Sequence, residues 1–270
     1  HPFQPFILGQ KNLAPKIAAQ YDIPLIFYGE SESEYGNSLS EFKTALRDWE
    51  YFTNSDDSKI YIGGSSLSEL KELGLSPIDW QPYLPINPQK LKDKNIEVHY
   101  LGYYENWHPQ GAYYYAVENG DFRSSPERTA GTYSTYNSID DRIDDFHYHT
   151  TWIKFGIGRA TYDSAQEVRN GDLTREEAVA LIHKYDGEFP SRWANEIFEY
   201  LSIGKEDFPI ASNAFEKNIF DRSYYDDLSD KFRSPHLWYL DSSNKWHLRF
   251  KVKNIDAVSY THLTLPTSTH

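Results

Sequence analysis

The sequence predicts an α/β fold followed by a helical unit, and three observations carry that expectation. The uninterrupted apolar segment Leu25-Ile26-Phe27-Tyr28 follows a helical stretch, the pattern of a strand buried in a parallel sheet. A second strand-like segment, "NIEVHYLGYY" (residues 95–104), follows after intervening helical and loop segments. From Ser138 onward, apolar residues recur at helical spacing through four successive segments.

Taken in order, the first helix spans about Gln10 to Tyr21 and turns at Asp22-Ile23-Pro24 into the strand, which ends at Gly29-Glu30. Ligands of parallel sheets bind outside the carboxyl ends of the strands, where Glu30 and Glu34 fall. Ser66-Leu67-Ser68-Glu69 reads as a capping box, opening a short helix with Leu67, Leu70 and Leu73 and a stop at Gly74. The four prolines from Pro77 to Pro88 predict loop, and His108 to Asn119 a helix.

Ser138 is expected to cap the next helix, with Asp140 and Asp141 in its first turn and a buried stripe of Ile139, Ile143, Phe146, Thr150 and Ile153. Gly156-Ile157-Gly158 interrupts that pattern. A second helix runs from about Arg159 to Asn170 and stops at Gly171. Its small side, Thr161, Ser164, Ala165 and Val168, packs on a neighbour, while Arg159, Asp163, Gln166 and Asn170 share the opposite face. Thr174 and Glu177 form another capping box for a third helix that stops at Gly187, and Pro190 starts a fourth to about Leu201. The alternation of Trp246, Leu248, Phe250 and Val252 after a polar turn predicts a β-hairpin within residues 236–252. These elements divide the chain into a partial α/β domain (1–125), a helical domain (126–203) and an extension with the hairpin (204–256). The Thr/Ser-rich tail 257–270 reads as a non-native scar.

Composition narrows the function. A formal charge of −13 argues against a partner held through nucleic-acid phosphates, for which a basic surface is the footprint. There is no cysteine, so disulfides, thiolate metal sites and cysteine nucleophiles are excluded within these residues, which fits a cytoplasmic protein. No apolar run approaches the roughly 18 residues of a membrane span. The chain opens on His1-Pro2-Phe3 and holds no methionine, so it is expected to lack its natural start.

Several residues carry candidate chemistry. Gly156 and Gly158 lie where one helix ends and another begins, beside Lys154 and Arg159; free N–H groups at such a helix start suit a phosphate. The alternative is a tight corner whose cations are solvated or paired with Asp163 and the Asp140 to Asp145 cluster. Glu30 and Glu34 are candidates for Mg²⁺, or are simply solvated loop acids. His147 and His149, two apart on a helix, point about 200° apart and do not chelate a metal from one face. The acid pairs Asp140-Asp141 and Asp144-Asp145 raise a glycosidase reading, but adjacent acids on a helix more often form a cap or a solvated face.

The stretches "HPFQPFILGQKNLAPKIAAQYDIPLIFYGESESEYGN", "GTYSTYNSIDDRIDDFHYHTTWIKFGIGRATYDSAQEVRNGDLTREEAVALIHKYDGEFP" and "KFRSPHLW" resemble the N-acetyl sugar amidotransferases of bacterial surface-polysaccharide (lipopolysaccharide) biosynthesis, members of the PP-loop ATP pyrophosphatase superfamily. The resemblance runs from His1 to about Val252. It implies that residues 1–125 are the later part of a PP-loop parallel-sheet domain and that the helical domain shapes the acceptor site. It further implies an ATP-dependent conversion of an acetamido group on a nucleotide-linked sugar into an acetamidino group, with ammonia from a partner glutaminase. By resemblance, Gly29, Glu30 and Glu34 approach ATP and Mg²⁺, whereas Lys154, Gly156, Gly158, Arg159, Asp163 and Arg169 hold phosphates of ATP or of the nucleotide sugar. The Ser-Gly-Gly-x-Asp-Ser phosphate loop of the family and its cysteine pairs do not occur in this sequence, so the chain by itself is expected to be inactive and poorly soluble. Other PP-loop activities, such as tRNA thiolation or NAD synthesis, and a non-catalytic sugar-binding or scaffold role are the alternatives.

Overall fold

The structure, a computed structural model, describes residues 4–29, 44–49, 53, 54, 56–204, 206, 223, 226, 229, 230, 233 and 238–249. Glu30, Glu34 and the tail 257–270 lie outside the described residues. The architecture is mixed α/β with a small parallel sheet.

Helix α1 (Gln4–Tyr21) is longer than its sequence pattern suggested and tolerates Pro15 inside it. It leads into β1 (Leu25–Tyr28), which pairs in parallel with β4 (Glu97–Tyr100) in the register Leu25 to Glu97 through Tyr28 to Tyr100. On the other edge of β4, the Arg47 N–H donates to the Val98 carbonyl (2.8 Å) and the Tyr100 N–H to the Ala45 carbonyl (3.0 Å), so β4 is the inner strand. That position explains the burial of Val98 and Tyr100, while Leu25 and Phe27 of β1 stay exposed. Ala18 and Ala19 of α1 pack with Ile86, Leu91 and Ile96 into one apolar core, against which Ile26 and Trp49 lean.

Among the described residues between the two strands are a small ribbon, β2 (Tyr61–Ile62) with β3 (Ser65–Ser66), and three short α-helices. Helix α2 (Leu67–Glu72) opens on the expected capping box, with the Glu69 N–H reaching Ser66 Oγ at 3.3 Å and the Ser66 N–H reaching Glu69 Oε2 at 2.7 Å. The proline-rich segment is not the loop it was expected to be. It contains α3 (Pro77–Trp80) and a 3₁₀ turn, and Pro88 starts α4 (Pro88–Asp93). Proline at the first helical position costs no hydrogen bond, and Ser76 with Asp79 caps the turn behind it. The second strand is also shorter than expected, because residues 101–104 turn into α5 (Leu101–Tyr104).

Helix α6 (Pro109–Gly120) is capped by His108. The helical unit then comprises α7 (Asp144–Phe155), α8 (Arg159–Asn170), α9 (Arg175–Tyr185) and α10 (Ala194–Leu201). Helix α7 starts five residues later than expected, with Ile143 and not Ser138 at its N-cap. Ser138 has a φ of 53°, which is not the extended geometry of an N-cap, and Asp144 and Asp145 take the first turn instead. Helix α10 likewise starts at Ala194, after a turn at 191–193. Two apolar clusters hold the unit: Ala160, Ala165, Ala178 and Ile182 between α8 and α9, and Phe146, Ala194, Ile197 and Phe198 between α7 and α10. The hairpin, β5 (Trp238–Leu240) with β6 (Trp246–Leu248), is antiparallel as expected, its turn tied by Asp241 accepting from the N–H groups of Ser243 and Lys245.

Candidate functional site

The corner between α7 and α8 separates the jobs of its two glycines. Gly156 closes α7 at a φ of 74°, a left-handed conformation open to glycine, and its N–H bonds the Trp152 carbonyl at 2.8 Å. Gly158 makes room for a carboxylate. Asp186, which follows α9, accepts from the Gly158 N–H (3.0 Å) and the Thr161 N–H (3.2 Å), and Thr161 Oγ1 donates to it as well. A Cβ on residue 158 would lie 2.7 Å from Asp186 Oδ1. The expectation of an open helix start is therefore corrected: the N–H groups of α8 already face an anion from the chain itself. Burial pushes the Asp186 carboxyl up to about 6, against the pull of those hydrogen bonds.

Further along α8, the face opposite its small side is also covered, with Asp163 and Gln166 buried on it. Arg159 Nε lies 3.0 Å from Asp163 Oδ1, and its guanidinium sits 4.4 Å over the ring of Tyr148. Asp163 also accepts from Thr132 Oγ1 (2.6 Å) and Asn137 Nδ2 (3.2 Å). One turn on, Glu167 accepts from the Tyr133 hydroxyl at 2.8 Å. Burial first, and then the nearby Asp163 and Asp172 carboxylates, raise Glu167 to about 7. Arg169 is buried too, so both sides of α8 are covered. The cover is the segment 129–137, which follows no helical or strand period. Its Thr and Tyr residues therefore gave no sequence signal of what they bury.

Of the six residues expected to hold phosphate, Asp163 and Arg159 come together as an ion pair, and Gly156 and Gly158 shape the corner. Lys154 alone among them is exposed, its ammonium 5.1 Å from the Phe155 ring centre. At the far end of α8, His108 Nδ1 accepts from the Gly111 N–H (3.1 Å), so its Nε2 proton points to Asp172 Oδ2 at 2.7 Å. That carboxylate raises the histidine pKa, although full protonation would remove the helix cap.

A cleft of about 680 Å³ opens beside the start of α7, lined by the 125–130 loop, residues 138–145 and residues 188–193. Arg128 makes a two-pronged pair with Glu188 (2.6 Å at both contacts), and Glu188 also accepts from the Gly131 N–H at 2.8 Å. Arg142 grips Glu196 (2.6 and 2.7 Å), and Arg192 lies 3.0 Å from Glu127. The guanidiniums of Arg142 and Arg192 both stack on Trp193, at 4.4 and 4.7 Å. Asp145 is buried in the wall. Desolvation, reinforced by Asp144, pushes its carboxyl up to about 6, and the Ala130 N–H opposes that shift. The sequence pointed to the aspartates of this wall but not to its arginines or Trp193, which share no spacing.

At the strand pair, Gly29 is exposed beyond the carboxyl end of β1. Near that end Arg47 lies over the rings of Tyr100 (5.0 Å) and Tyr28 (5.6 Å), and burial followed by the Arg47 charge lowers the pKa of Lys11. This cationic pair sits in no motif and had no sequence signal. Among the described residues no group of three or more His, Asp or Glu side chains is placed to hold a metal ion. His149 instead bonds the Glu188 carbonyl at 3.1 Å.

Residues 130–253 match the family model described as LPS biosynthesis protein WbpG-like, C-terminal domain. The match begins inside the segment that covers α8 and runs through the cleft to the hairpin, and it points to lipopolysaccharide biosynthesis. No curated protein matches the chain. No helix of the described residues is long and apolar enough to cross a membrane.

Proposed function

We propose that the chain is part of a PP-loop, ATP-dependent amidotransferase of lipopolysaccharide biosynthesis, which converts the acetamido group of a nucleotide-linked sugar into an acetamidino group. The observation that carries this reading is the similarity of residues 130–253 to a WbpG-like C-terminal domain. An amide oxygen leaves poorly until it becomes a phosphate ester. ATP would supply that activation by adenylation with release of pyrophosphate, and ammonia from a glutaminase partner would then displace AMP.

The residues of this chain divide the work. The parallel strand pair, with Gly29 at its open end, supports a nucleotide-facing role for the first half, since ligands gather at the carboxyl ends of such strands. Its described residues supply no metal ligand set, so no step is assigned to Mg²⁺. At the α7–α8 corner Asp186 holds the N–H groups that a phosphate would take, which leaves Lys154 as the exposed cation for phosphate contact. Arg159, Asp163 and Arg169 act from within as positioning residues.

Transfer of isotopically labelled ammonia tests the reading. The protein from its complete reading frame, given ATP and a nucleotide-linked N-acetyl sugar, is expected to yield a sugar whose amide oxygen has been replaced by labelled nitrogen, seen by mass spectrometry. An unlabelled sugar recovered from folded protein that consumes ATP contradicts it.

A further inference from the structure

The cleft beside α7 has a composition that selects its ligand. Its wall holds five carboxylates (Glu127, Asp140, Asp141, Asp145 and Glu188) against three arginines, two more negative charges than positive. Each arginine is already held by a glutamate, Arg128 by Glu188, Arg142 by Glu196 and Arg192 by Glu127. A phosphate entering here would meet net repulsion and cations whose charge is already partnered, Arg128 through both arms of its guanidinium and Arg142 and Arg192 through one nitrogen each. A metal ion fares no better, because the described acids of the wall are not grouped for coordination.

What remains is a ligand that is uncharged, rich in hydroxyls and flat enough on one side to lie against an indole. Carboxylates accept from sugar hydroxyls, and the guanidinium N–H groups donate to sugar oxygens. Trp193 lines the cleft with the guanidiniums of Arg142 and Arg192 over its ring, so a sugar meets the remaining indole surface together with the N–H groups of those two arginines. Asp145 adds a buried carboxyl to the wall. The volume of about 680 Å³ lies within the range of small-molecule sites and exceeds that of a single hexose.

We propose that this cleft is a carbohydrate-ring subsite, which takes an uncharged N-acetylated hexose through Asp140, Asp145, Arg192 and Trp193 and excludes phosphate. The choice of an N-acetylated sugar rests on the amidotransferase reading; the preference for an uncharged polyol over an anion rests on the cleft alone. A free monosaccharide therefore binds without any nucleotide attached.

The test uses the 270-residue chain with N-acetylglucosamine, N-acetylgalactosamine and N-acetylmannosamine as probes, read by saturation-transfer NMR and titration. At least one is expected to bind saturably. Trp193→Ala weakens that binding by about tenfold or more, Asp140→Asn weakens it severalfold, and inorganic phosphate does not compete. The Asp140 variant guards against a folding defect in the Trp193 variant, and circular dichroism checks both. No saturable binding of any of the three to folded chain overturns the proposal, as does binding that phosphate displaces or that neither variant alters. Hexose binding by the chain, with no ammonia transfer by folded protein from the complete reading frame, keeps the subsite and ends the amidotransferase reading. Ammonia transfer by a protein that binds none of the three sugars ends the subsite and keeps the reading.

Discussion

The core beside the strand pair and the core around helix α8 differ in chemistry. Around the strands the most deeply buried hydrophobic side chains are Leu91, Ile96, Val98 and Tyr100. Around α8 the polar Thr132, Thr161 and Ser164 are buried as deeply as Ala160, Ala165 and Ala178, with Asp163, Glu167 and Arg169 nearly as deep. An apolar core gains stability from area and forgives exchanges of similar volume. A polar core is held by specific pairs, and removing one member strands its partner out of water. The first kind of core sets a fold; the second fixes particular side chains in particular places.

Removing one partner from the polar core should give the largest effect. Asp163→Ala deprives Arg159, Thr132 and Asn137 of their common acceptor and is expected to destabilise by about 3–5 kcal/mol, measured by denaturant unfolding. In the apolar core, Leu91→Ala is expected to cost about 2–5 kcal/mol, but Leu91→Met only about 1.5 or less. If Asp163→Asn proves as mild as Leu91→Met, the two cores do not differ in the way described.

The pH response sharpens the contrast. Glu167 and Asp186 have folded pKa values raised to about 7 and about 6, above their ordinary values of 4.5 and 3.8. For a raised carboxyl the unfolded chain loses its proton first. The stabilising contribution is present below the unfolded pKa and is lost as pH rises through the folded one. Stability from these groups should therefore fall between about pH 4 and 7, each pKa unit being worth about 1.4 kcal/mol. Glu167→Gln should flatten its share of that decline, so the variant gains on the parent protein between pH 5 and 8; thermal unfolding across that window reads the difference. A constant gap across the window would show that Glu167 titrates normally.

Smaller effects bound the comparison. Gly156→Ala forces a Cβ into the left-handed region and is expected to cost about 1 kcal/mol with no change in pH response. Glu196→Gln breaks a pair that is more than half exposed on both sides and should change stability by about 0–1 kcal/mol.

Local signals were legible in the sequence. The bounds of α8, set by Gly158 before it and Gly171 after it, and the capping boxes at Ser66 and Thr174 all formed, because each depends on residues within one turn. The strand Leu25–Tyr28 was legible from its apolar run, and its parallel partner from the second run. Proline counting misled at residues 77–88, where the same residue that breaks a helix also starts one. At α7, the Ser138-Asp140-Asp141 signal competed with a second acid pair at Asp144-Asp145, and the later pair took the helix start. The site was less legible than the fold. Asp186 reaches Gly158 across 28 positions and Thr132 reaches Asp163 across 31, and no periodicity links such residues. The cleft is assembled from three separate segments, so its arginines and Trp193 carried no pattern.

Pyrophosphate release by the protein from its complete reading frame, supplied with ATP, ammonia and matched nucleotide sugars with and without the acetamido group, tests the proposed chemistry most directly. Release that occurs only with the acetamido sugar, and that falls severalfold with Trp193→Ala in folded protein, is the expected result. Release indifferent to the acetamido group, or none at all from folded protein, would contradict it.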